Sequence, residues 1–95
     1  MTTHTLKTVA TCWDAIERGE KTFEVRLNDR FFQRGDIVRL RRIDENGHCT
    51  PNKKNERFST NDLEFSIGWM LQGGQFGIQA GYVVFQLVPL EKMEA

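Results

Sequence analysis

From Leu63 to Leu71 every second residue is apolar: Leu63, Phe65, Ile67, Trp69 and Leu71. A period of two places all five side chains on one face of an extended strand, which no helix can do. The pattern recurs in residues 22–27, where Phe23, Val25 and Leu27 alternate with Thr22, Glu24 and Arg26. It recurs again in 37–43, where Val38 and Leu40 take one face and Arg39 and Arg41 share the other with Ile37 and Ile43. Residues 82–88 form a last strand that Pro89 ends, and residues 4–9, through Leu6, a short first one. Only the segment from Thr11 breaks the pattern. Thr-Cys-Trp-Asp-Ala-Ile-Glu-Arg followed by Gly19 reads as a helix of about two turns, too short to stand without packing. Thr11 is its expected cap, Trp13 and Ile16 (with Cys12 beside them) its inward face, and Gly19 its left-handed exit.

One short helix among about five strands predicts an α+β, mainly β fold. The expected form is a small β-barrel with the helix beside its opening. Ninety-five residues make one domain, 1–95. Its expected core is Phe23, Val25, Leu27, Val38, Leu40, Phe65, Ile67, Trp69, Val83 and Phe85. Asn46-Gly47 signals a turn. The polar stretch of about 45–62 reads as a long loop or hairpin arm, and residues 90–95 as a frayed tail.

Thirteen basic residues balance thirteen acidic ones. Any nucleic-acid role must therefore rest on a local patch and not on a global basic field. No apolar run reaches the roughly 20 residues that span a bilayer, and Met1-Thr-Thr-His-Thr has neither the basic flank nor the apolar core of a secretory signal. No membrane partner is expected. Cys12 and Cys49 do not make a disulfide framework; they read as reduced thiols in a cytoplasmic protein, with a Cys12–Cys49 bridge as the alternative. His48-Cys49, His4 and Cys12 lack zinc-type spacing, no glycine-rich phosphate loop is present, and neither a metal nor a cofactor is expected. A monomer is the expected state.

The chemistry concentrates in residues 19–36. Lys21 precedes a strand whose polar face carries Glu24 and Arg26. These three can line a polar pocket in a barrel mouth, with Arg26 offering its planar fork to a carbonyl or phosphate and Glu24 accepting from an amino group. The plainer alternative is a solvated strand face with cross-strand ion pairs. Arg30, Arg34, Arg39, Arg41 and Arg42 form a second group. Arg39 and Arg41, with Lys53, Lys54 and Arg57 of the polar arm, can track a phosphate backbone or merely guard an edge strand with charge.

Gly19-Glu-Lys-Thr-Phe-Glu-Val-Arg26, Asn28-Asp-Arg30, Gly35-Asp36 and Gly77-Ile-Gln-Ala-Gly-Tyr-Val-Val84 together resemble the ASCH domain family of the PUA-like superfamily, nearest to a small bacterial and phage subfamily of uncharacterised function. The resemblance runs from His4 to Leu87. It implies a β-barrel with a helix beside its opening, and RNA or modified-nucleoside recognition in a cleft lined by the Gly-x-Lys-Thr strand. Taken with the polar face of residues 22–27 and the Arg39–Arg41 stripe, the expected ligand-binding set is Lys21, Thr22, Glu24, Arg26, Arg30, Arg39 and Arg41. A similar branch hydrolyses acetylcytidine, with a lysine where Lys21 stands and a threonine nucleophile where Glu24 stands. An amide hydrolase is thus one alternative, with Lys21 and Glu24 as its catalytic candidates. Another is a protein-interaction adaptor that meets an acidic partner through Arg39 and Arg41.

Overall fold

A computed structural model describes residues 1–50 and 62–90. The middle of the expected polar arm, 51–61, and the end of the expected tail, 91–95, lie outside these residues. The chain runs β1 (Thr3–Val9), α1 (Ala10–Glu17), β2 (Phe23–Leu27), β3 (Ile37–Ile43), β4 (Leu63–Gln72) and β5 (Tyr82–Pro89). The five strands form one sheet in the order β1-β3-β4-β5-β2, curled into a half-barrel with one short helix. The expected α+β, mainly β class is the observed one. β1 and β3 run parallel, and every other neighbouring pair is antiparallel.

β1 passes directly into α1. Val9 occupies the N-cap position and no side chain caps the helix, so Thr11 does not play that part. Asp14 is held instead by Arg42 of β3, whose Nε and Nη2 each donate over 2.9 Å. Trp13 is fully buried, and its Nε1 donates to Leu40 O over 2.9 Å. Ile16 joins it in a core of Leu6, Phe32, Val38, Leu40, Ile67, Val83, Phe85 and Leu87. Gly19, at φ +83°, ends the helix as expected.

Four expected core residues lie outside. Phe23, Val25 and Leu27 are about half exposed, and Trp69 more so. The reason for the first three is register. Glu24 pairs with Phe85 and Arg26 with Val83 across the β2–β5 ladder, and directly opposed residues share a sheet face. Val83 and Phe85 fill the core, so Glu24 and Arg26 face inward with them and the apolar side of β2 faces out. Trp69 is turned out by a register shift between Ile67 and Met70. That irregularity breaks the strict alternation of β4, and Met70 packs against the core in its place.

Two further pairings tie the sheet. Arg39 sits opposite Glu64 and donates to it over 2.6 Å. His4 Nε2 and Asp36 Oδ2 meet at 2.8 Å, both buried, with the imidazole edge-on to Phe32. Asp36 also accepts from the Thr2 and Gln33 amides. Burial alone would raise the Asp36 pKa, but His4 and the two backbone donors outweigh it and hold the carboxyl below its ordinary range.

Candidate ligand-binding cleft

The half-barrel leaves β1 and β2 as its two edges, unpaired with each other. The site lies on this seam. Past Gly19, the amides of Glu20 and Lys21 both donate to Ala15 O, over 2.9 and 3.1 Å. This winds the chain tightly off α1 and delivers Lys21 to the start of β2. Its Nζ donates to Glu24 Oε2 over 2.7 Å and to Phe23 O over 2.6 Å, and lies 4.8 Å from the centre of the Phe23 ring. Arg26 Nε donates to Glu24 Oε1 over 2.8 Å. Both carboxylate oxygens therefore carry a cationic donor.

Glu24 is buried while Lys21 and Arg26 stay partly open, with side chains 5, 21 and 24 % exposed. A buried lone carboxylate would be expensive; two rim cations compensate it and give the cluster a net charge of +1. Arg26 also crosses the seam. Its Nη2 donates to Lys7 O over 3.2 Å and to Thr8 Oγ1 over 3.1 Å. Arg30, in the loop after β2, reaches Thr5 O over 3.1 Å. These bonds satisfy the Thr5 and Lys7 carbonyls and the Thr8 hydroxyl on the free edge of β1.

Lys21, Glu24 and Arg26 open onto a cleft of about 320 Å³, completed by Lys7, Thr8, Val9 and Val25 and by Cys12 of α1. A second hollow of about 410 Å³ adjoins it and shares Lys7 and Arg26. Its other walls are Thr5, Leu6, Arg30, Arg41 and Cys49.

Five of the seven residues expected at the site thus meet on one seam. Two do not. Thr22 is exposed and lines a separate hollow with Phe23, Trp69, Val84, Phe85 and Gln86. Arg39 is committed to Glu64. Arg41 reaches the second hollow, but Asp62 holds its Nε and Nη2 at 3.2 and 2.8 Å, so Arg39 and Arg41 are no free basic track. Lys7, Thr8 and Cys12 were not expected at the site. They come from β1 and α1, and nothing local in the sequence says that these elements flank β2. Both thiols are free. Among the described residues no three potential metal ligands cluster, and no helix is long and apolar enough to cross a membrane.

The fold and seam define a small, mainly β domain with a charged cleft between the edges of an open half-barrel. By sequence, the chain belongs to the family described as Domain of unknown function (DUF3850), whose model matches residues 3–87. Comparison with proteins of curated function gives no match.

Proposed function

We propose that the seam cleft binds RNA or a modified nucleoside, in a module that is not an enzyme. The observation that carries this reading is the convergence of Lys21, Glu24 and Arg26 on one open cleft. Each Glu24 oxygen already accepts one cationic donor and keeps a second lone pair for a base amino group. Lys21 and the free N–H groups of Arg26 supply donors for a carbonyl or phosphate oxygen. The resemblance of residues 19–36 to the ASCH family supports the same ligand class.

Titration with single-stranded and structured RNAs tests the proposal. Lys21→Ala is expected to weaken binding about tenfold, the loss of one charge-assisted hydrogen bond, while the thermal transition stays cooperative. An absence of saturable binding to any RNA at low salt overturns it. Amide hydrolysis of an acylated nucleoside such as acetylcytidine is disfavoured. Glu24 stands in place of a hydroxyl nucleophile, and each of its oxygens already accepts from a cationic donor. Deacetylation at micromolar enzyme would reverse that judgement. An adaptor role for Arg39 and Arg41 would require an acidic partner to displace Glu64 and Asp62.

A further inference from the structure

We infer that the second hollow is a phosphate site, and that with the Lys21–Glu24–Arg26 cleft it forms a two-part site for a nucleotide in preference to a free nucleoside. This inference rests on the nucleoside reading of the cleft and adds the anionic half of the ligand.

Four cationic residues, Lys7, Arg26, Arg30 and Arg41, line the hollow, and among the described residues no carboxylate lines it. In a chain of zero net charge such segregation is local and costs repulsion. Lys7 and Arg41 are register partners on β1 and β3, two like charges side by side on one sheet face. Asp62 offsets Arg41 from outside the hollow. Lys7 has no ion-pair partner among the described residues. Arg30 spends one of its five N–H groups on Thr5 O and has no ion-pair partner among those residues. A dianionic phosphate seated here would relieve the repulsion and take up the unused donors.

Geometry joins the two halves. Lys7 and Arg26 line both hollows, so a ligand with its base against Lys21 and Glu24 extends past Arg26 into the cationic basin without leaving the seam. The polar cleft offers both acceptors and donors, as a base edge requires. The basin offers four cationic side chains with the Thr5 hydroxyl and the Cys49 thiol beside them, and among the described residues no carboxylate, as a phosphate requires.

Calorimetric titration at low ionic strength is the test. The probes are the four common ribonucleoside 5′-monophosphates, the matching nucleosides, and inorganic phosphate alone. At least one nucleotide is expected to bind about tenfold or more tightly than its nucleoside, and more tightly than phosphate. Lys7→Ala and Arg30→Ala should each shrink that nucleotide-to-nucleoside ratio about threefold or more, whereas Lys21→Ala weakens nucleotide and nucleoside together. With a single-stranded RNA, each basin substitution should reduce the slope of log K against log salt by about 0.7, one phosphate contact. Thermal melts confirm folding, and Lys7→Arg should restore most of the ratio. Equal binding of nucleotide and nucleoside, or a ratio unmoved by both basin substitutions, overturns the inference and leaves the cleft proposal standing. Phosphate binding as tightly as every nucleotide also overturns the two-part site. If phosphate alone binds, and neither RNA nor any nucleoside or nucleotide does, the cleft proposal fails and the nucleotide assignment fails with it.

Discussion

Glu24 is the residue on which the seam turns. Its carboxylate is buried and holds one cation on each oxygen, and removing it leaves Lys21 and Arg26 facing each other without a counter-charge. Glu24→Ala should therefore cost about 2–3 kcal/mol, less than a fully buried pair because both cations keep some water; urea denaturation measures it. Glu24→Gln keeps an acceptor and should cost less. The two tryptophans give a second check. Trp13 is fully enclosed and Trp69 is 61 % exposed, so iodide should quench only part of the native fluorescence, and Trp69→Phe should abolish the quenchable part. The convergence of Lys21, Glu24 and Arg26 was legible from their spacing before a strand and on one of its faces. The orientation of that face was only half legible. The spacing predicts a polar pocket on one face and core on the other, but Phe23, Val25 and Leu27 lie outside the core. An alternating strand looks the same from either side, and only the β5 register decides which side is buried. His4 and Asp36 lie 32 positions apart and carry no local sign of their pairing.

Among the elements, β4 and the turn after it are the most constrained. A side chain at Gly73 would place its Cβ 2.1 Å from Gln79 O and 2.8 Å from Tyr82 O, both backbone atoms. Gly73→Ala must therefore distort the β4–β5 connection, and a loss of about 3 kcal/mol is expected. At Gly68 the nearest atoms are Gln86 Oε1 and Val88 Cγ2, at 2.5 and 2.8 Å. Gln86 can swing aside there, at the cost of its bond from the Trp69 amide. Gly68→Ala should consequently destabilise less than Gly73→Ala, and paired thermal melts would expose the reverse order. The strands themselves were readable: residues 22–27, 37–43 and 63–71 carry a period of two, and 82–88 is a β-branched and aromatic run that Pro89 ends. The irregularity within β4 was not, because Gly68 interrupts the ladder without interrupting the apolar count on either side. α1 was readable from Trp13, Ile16 and Gly19, but its start was not: Val9 leads into it with no capping side chain.

At the scale of the whole molecule, the His4–Asp36 pair ties the first strand to the turn before β3 and couples stability to acid. The Asp36 pKa is lowered on folding from an ordinary value of 3.8. The unfolded chain therefore takes up this proton more readily than the folded one. The contribution is complete above that ordinary value and is lost as pH falls through the lower folded value. Urea midpoints measured from about pH 6 down to about pH 3 should fall at the acid end, and Asp36→Asn should flatten that limb. Glu20 and Asp44 are also shifted down, Glu20 by Arg18 and Asp44 first by the His48 amide. Both lie near the surface, so added salt should mute their share and spare that of Asp36.

The open seam has a mechanical corollary. Where a closed barrel would be welded by a continuous ladder, this one is laced by three side-chain bonds from Arg26 and Arg30. The least costly way to widen the domain is thus to unbutton its two margins, and the same guanidinium groups that would grip a guest also govern how far its doorway parts.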